Sequence, residues 1–171
     1  FSGGGSNLTI SGAYALGDSG INSLALDGRI NLALLNAVPQ VATSDTFFGG
    51  YATVSVRVAG VNTNARLTGT ATMENAAVAA FIGSSRLTFE RLKGRILFAS
   101  NQAQIESAEG YLGGGQFNAT GGVLFRDNLS IDSFRVALDG SNITVPLPED
   151  FVTTGDARLE FSGRRSNENL I

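Results

Sequence analysis

The chain of 171 residues contains no histidine, no cysteine and no tryptophan, and it has one methionine and three prolines. Without His or Cys there is no zinc site built on those ligands, no thiol chemistry, and no Ser-His-Asp or Cys-His nucleophile arrangement. The lack of Cys also argues against a small disulfide-stapled secreted module, and it leaves cytoplasm and bacterial periplasm equally open. Charge is scarce at 16% of residues, where an average soluble domain carries roughly 25%. The net charge is −3, and Arg164-Arg165 is the one basic pair, so no stripe exists to track a phosphate backbone. No run of about 18 apolar residues occurs, so no segment is read as a membrane-spanning helix.

Glycine is abundant at 22 residues, alongside much Ala, Thr, Ser, Asn and Val. That mixture is poor material for exposed helices and suits strands and tight turns. The glycines cluster at Gly3 to Gly5, Gly49-Gly50 and Gly113 to Gly115. A phosphate loop needs a helix directly after such a cluster, and alternating strand patterns follow here, so the clusters are read as turn geometry. Tyr111-Leu112-Gly113-Gly114-Gly115-Gln116-Phe117-Asn118-Ala119-Thr120-Gly121 has a cousin in Phe1 to Gly12. Ala25-Leu26-Asp27-Gly28 returns downstream as Ala137-Leu138-Asp139-Gly140. The offset is 110 residues between Gly3 and Gly113 and 112 between Asp27 and Asp139. The chain therefore reads as one repeat, about 1–111, plus a partial second, about 112–171. With Phe1 inside a repeat element, a piece of a longer protein is expected.

Almost every segment alternates with period two, the signature of a strand with one buried face. Leu8, Ile10, Gly12, Tyr14 and Leu16 share one face, as do Val54, Val56 and Val58, and Phe117, Ala119, Gly121, Val123 and Phe125. Asp27-Gly28 and Asp139-Gly140 are read as hairpin turns, the first leading on to Ile30, Leu32 and Leu34. Asn36 to Asp45, with Pro39, is expected to be a loop or a short helical turn. Asn75 to Gly83 is the best helix candidate but too short to stand alone in water, so a strand or a single turn is expected. Pro146 marks a strand end, and Pro148-Glu149-Asp150 a turn. The sum is about eleven strands of roughly six to ten residues. Fully buried parallel strands would read as unbroken apolar runs, so an all-β, mostly antiparallel sheet is expected. A single sheet this long must curl, fold on itself or flatten.

Several phrases resemble the β-repeat region of the TamB-like family, within the wider AsmA-like group. They are Arg66-Leu67-Thr68-Gly69-Thr70 with Met73-Glu74-Asn75-Ala76, and Leu92-Lys93-Gly94-Arg95-Ile96-Leu97-Phe98 with Gln104-Ile105. Gly110 to Phe117 continues the likeness, as do Leu147-Pro148-Glu149-Asp150-Phe151, Gly155-Asp156-Ala157-Arg158-Leu159 and Phe161-Ser162-Gly163. The likeness covers essentially the whole chain, most clearly residues 64–163, and carries no catalytic signature. It implies a U-shaped β-groove, the β-taco, lined with aliphatic and aromatic side chains. It also implies a parent anchored in the inner membrane of a Gram-negative bacterium and crossing the periplasm. Its partners would be phospholipid or other acyl chains and, through parts of the parent not present here, an outer-membrane barrel of the Omp85 type. The implied work is carriage of lipids between the membranes or help in outer-membrane protein assembly.

The residues expected to line that groove are Leu8, Ile10, Val54, Val56, Val58, Leu67, Ile96, Phe98, Ile105, Phe117, Val123, Phe125, Phe134, Val136, Leu138, Leu159 and Phe161. No catalytic, cofactor or metal residues are assigned. The carboxylates Asp27, Asp139, Asp156, Glu106, Glu109, Glu149 and Asp150 would need to face one cleft in pairs to act as a glycosidase does, and only their number suggests it. Asn7, Asn118, Asn128 and Asn142 stand in glycosylation sequons, which an Asn- and Thr-rich chain supplies by chance. Two other readings of the same pattern remain: an adhesive passenger wound as a parallel β-helix, and a closed β-sandwich binding module.

Overall fold

The computed structural model describes residues 2–3, 5–13, 21–37, 46–61, 64–82, 85–146 and 152–164. They form one ten-stranded sheet whose spatial order is the order of the chain. The strands are β1 (Ser2–Gly3), β2 (Ser6–Ala13), β3 (Ile21–Asn31), β4 (Phe47–Val61), β5 (Asn64–Ile82), β6 (Ser85–Ser100), β7 (Gln102–Leu112), β8 (Gly115–Phe125), β9 (Ile131–Pro146) and β10 (Val152–Arg164), with a 3-10 helix at Leu32–Ala37. Every pairing is antiparallel. The edges β1 and β10 do not meet, so the sheet is open. The expected all-β, curved antiparallel sheet is the fold found. A parallel β-helix and a two-sheet sandwich are both at odds with this pairing.

The strands are fewer and longer than the sequence suggested, reaching 19 residues in β5 and 16 in β6 and β9. The difference lies partly in the Asp-Gly pairs, which are not turns: Asp27-Gly28 lies inside β3 and Asp139-Gly140 inside β9. Gly28 has φ +139°, and a Cβ there would stand 2.0 Å from the Asn7 carbonyl oxygen. Gly140 sits across the ladder from Phe117, and a Cβ on it would stand 2.8 Å from the Ile143 side chain. Each glycine admits a neighbour rather than reversing the chain. Consequently β3 ends at Asn31, and Leu32 and Leu34 belong to the 3-10 helix instead of a partner strand. Asn75 to Ile82 is strand, with the ladder slipping between Met73 and Ala76 and again between Ala76 and Val78. Asn75 takes φ 52° in that irregularity, which absorbs the extra residue. The expectations at Tyr14, Leu16, Pro39, Gly83, Glu149 and the Pro148 turn lie outside the described residues.

A packed cluster forms at the end of the sheet where β7 turns into β8. There β9 runs past the turn, bends at Asn142 (φ 53°), and drops Ile143 against the fully buried Leu112. Leu87 joins the same cluster from β6, which is no ladder neighbour of β9. Phe89 and Phe117 meet edge to face within it, 5.6 Å between ring centroids. A second cluster places Leu32 of the 3-10 helix on Ala52 and Ala76, and Leu92 touches both clusters. The face that carries these clusters is the inner face.

At the opposite end the short β6–β7 hairpin is spanned by its neighbours. The Ala65 N–H donates to the Asp127 carbonyl (2.9 Å), and the Phe125 N–H donates to the Asn101 carbonyl (2.7 Å). Three inner-face glycines elsewhere share one geometry: Gly12, Gly69 and Gly121 have φ of 146°, 132° and 142°, and a Cβ would lie 1.9, 2.0 and 2.2 Å from a carbonyl oxygen of the neighbouring strand. Gly121→Ala is expected to cost more than about 2 kcal/mol, since strained φ and steric overlap add. Gly155, with nothing within 4 Å of its Cβ position, should accept Ala within about 0.5 kcal/mol. Urea unfolding of the two variants measures the contrast.

Candidate functional site

The register of the ladder turns the alternating sequence into continuous rows on the inner face. One runs Leu8, Gly28, Val54, Ala71, Ile96, Ile105, Gly121, Val136, Phe161, each residue paired with the next across nine strands. The adjacent row runs Ile10, Leu26, Val56, Gly69, Phe98, Ala103, Val123, Phe134, Gly163. Neither row contains a polar side chain. With strands about 4.8 Å apart, eight steps make an apolar band about 38 Å across.

Burial divides the expected lining residues in two. Phe117 and Leu138, each 3% exposed, belong to the packed cluster and present no free surface. Val136 and Leu159 pack against that cluster from its margin. Leu8, Val54, Val56, Val58, Leu67, Ile96, Phe98, Ile105, Val123, Phe125, Phe134 and Phe161 are half-buried, and Ile10 is 59% exposed. Neighbours in the sheet cover their flanks, and among the described residues no second layer covers their tips. Half-burial of aliphatic and aromatic groups in an unbroken band is the mark of a wall rather than a core. Leu24 and Leu26 belong to the wall and were absent from the expected set. Their pairing with β4 became visible only once Asp27-Gly28 proved to lie within a strand.

The outer face is built oppositely. Arg95 pairs with Glu106 (3.1 Å), Arg135 with Glu160 (2.8 Å) and Arg158 with Asp139 (3.6 Å), each across two adjacent strands. Arg126 pairs with Asp132 across the β8–β9 turn at 3.0 Å. Arg29 lies over the Tyr51 ring and Arg91 over the Tyr111 ring, at 4.1 and 3.9 Å. Of the carboxylates singled out from the sequence, Asp27 accepts from the Ser55 hydroxyl at 2.6 Å and Asp156 from the Asn142 N–H at 3.0 Å. Asp27, Glu106, Asp139 and Asp156 are thus dispersed among hydroxyl, arginine and backbone donors, and Glu149 and Asp150 lie outside the described residues. Among the described residues no group of three or more carboxylates is placed to hold a metal ion.

The hydrogen bond from Arg135, and then its charge, holds the Glu160 carboxyl below its ordinary range. A depressed carboxyl stabilises the fold above the unfolded pKa and loses that contribution as pH falls through the folded value. Glu160→Gln should therefore flatten the acid side of the stability profile below about pH 4.3, slightly, because the pair is exposed. Chemical denaturation at a series of pH values checks this. The two ends of the inner face should also differ under truncation. Leu112→Ala, at 1% exposure, should cost about 2–5 kcal/mol, whereas Ile10→Ala, at 59% exposure, should cost less than about 1 kcal/mol; equilibrium unfolding distinguishes them.

Comparison with family models, with curated proteins and with solved structures finds no match to this chain.

Proposed function

We propose that the inner face is a non-enzymatic wall for acyl chains, a segment of an envelope protein that carries lipids between the inner and outer membranes of a Gram-negative bacterium. The observation that carries this reading is the pair of uninterrupted apolar rows across nine strands, their larger side chains partly exposed, set against paired charges on the outer face. A fatty chain lying in such a trough buries methylenes at about 0.8 kcal/mol each. The gain changes little as the chain slides, because successive strands present the same kind of surface. A continuous wall thereby favours transit, where one deep pocket would favour retention.

The resemblance of the chain, most clearly residues 64–163, to the TamB-like family supports this reading and implies work in the periplasm, with help for outer-membrane protein assembly as a companion role. Contact with a barrel of the Omp85 type would fall to other parts of the parent. An adhesive passenger is disfavoured by the antiparallel pairing.

The test is photo-crosslinking in cells, in the full-length protein, with the reactive residue at Val56, Phe98 or Phe134. Thr120 and Arg135 serve as outward controls, and Phe117 as a buried one. Phospholipid captured at the three wall positions and at none of the controls is the expected result. A folded, expressed protein that captures no lipid at Val56, Phe98 or Phe134 overturns the proposal.

A further inference from the structure

We infer that the outer face carries a binding site for a phosphorylated sugar, in a concavity over β6, β7 and β8. The concavity has a volume of about 300 Å³, and its lining includes Arg91, Lys93, Glu109, Tyr111, Gln116 and Asn118. It sits at an irregularity in the sheet, where the β6–β7 ladder shifts between Glu90 and Lys93. Phe89 and Leu92 both pack on the inner-face cluster, so two residues, Glu90 and Arg91, stand between them where a regular strand has one. Arg91 takes φ 50° there, a conformation unfavourable for a residue with a side chain. Its guanidinium is set over the Tyr111 ring, 3.9 Å from the centroid. Bulges re-aim side chains in this way, and backbone strain of this kind concentrates at ligand sites.

The charges in the concavity are not cancelled as they are elsewhere on this face. Arg95, Arg126, Arg135 and Arg158 each hold a carboxylate. Among the described residues Arg91 and Lys93 form no ion pair, although Glu109 stands opposite Lys93 in the ladder. Two cations against one carboxylate leave the concavity positive. A phosphate group meets that excess, because guanidinium and ammonium donate charge-assisted bonds to its oxygens. The rest of the lining specifies what the phosphate is attached to. An ionised Glu109 only accepts hydrogen bonds, so it calls for a hydroxyl donor. Gln116 Nε2 donates to the Tyr111 hydroxyl at 3.1 Å, which leaves the Gln116 amide oxygen to accept and the phenol proton to donate. Asn118 offers a donor and an acceptor together. Planar groups of both kinds side by side suit the neighbouring hydroxyls of a sugar ring. A volume of about 300 Å³ is at the lower end for small-molecule sites and has room for one such ring. The site lies on the face opposite the apolar rows, so it does not depend on what the trough carries.

Isothermal titration of the full chain with glucose 6-phosphate, inorganic phosphate and glucose is the test. Glucose 6-phosphate should bind saturably and more tightly than inorganic phosphate, and glucose should not bind. Lys93→Gln and Arg91→Gln should each weaken binding about tenfold or more, with folding checked by circular dichroism. Arg57→Gln, at an exposed arginine outside the concavity, should leave binding unchanged. Glu109→Gln should narrow the preference for glucose 6-phosphate over inorganic phosphate. Methyl glucoside 6-phosphate separates the two sources of such a ligand: binding equal to that of the free sugar phosphate assigns the site to a unit within a glycan, and weaker binding assigns it to a free monosaccharide. No saturable binding of glucose 6-phosphate, equal binding of inorganic phosphate, or binding unmoved by Lys93→Gln and Arg91→Gln would each overturn the inference.

Discussion

The constraint on which everything else depends is register. With a side-chain period of two, slipping any one strand by a single residue would exchange its inner and outer sets. On β10, Arg158 and Glu160 would then face the apolar trough and leave Asp139 and Arg135 of β9 without them, while Leu159 and Phe161 would face water. Cross-strand ion pairs in exposed positions contribute little stability. Their larger effect here is to make the correct alignment distinguishable from its neighbours. The inner-face glycines act in the same direction from the other side, since Gly12, Gly69 and Gly121 each accept a carbonyl oxygen where any other residue would collide.

Within that register the two ends of the inner face do different things. At the β7–β8 turn, Leu87, Leu112, Phe117, Leu138 and Ile143 close into a packed cluster that joins non-neighbouring strands. Toward the opposite end the larger side chains of the same pattern, such as Val56, Phe98, Val123 and Phe134, are half-buried, while the alanines Ala65 and Ala103 are buried. The difference arises from what crosses the trough. The bend at Asn142 brings β9 over the turn at one end. At the other, the bridge from Ala65 to Asp127 ties strand ends to each other around a hairpin tip.

Much of this was legible in the sequence, and the parts that were not have identifiable causes. Alternation placed Val54, Val56, Val58, Val123, Phe134 and Phe161 on one face because it is a purely local property of the extended chain. Asp27-Gly28 and Asp139-Gly140 misled because glycine serves both tight turns and close strand approach, and only the neighbouring strand reveals which. Phe117 and Val123 are two members of one alternating strand, yet one is core and the other wall. That distinction depends on where β6 and β9 come together, which no local pattern encodes.

The half-exposed rows are costly in a way that bears on their purpose. A fully buried Val, Leu, Ile or Phe is worth about 1.5–3 kcal/mol over an exposed one, so a dozen partly buried side chains forgo some of the available stabilisation. A sequence shaped by stability alone would close the trough with a second layer or set polar groups along it. Here the apolar rows continue without interruption from β2 to β10, while one packed end and a long hydrogen-bonded ladder hold the chain together. Packing is thereby concentrated at one end, and at the other end the larger apolar side chains stay partly exposed. Truncations in the half-buried rows therefore cost the sheet less than truncations in the packed cluster, because the most buried residues and the partly exposed ones are different sets.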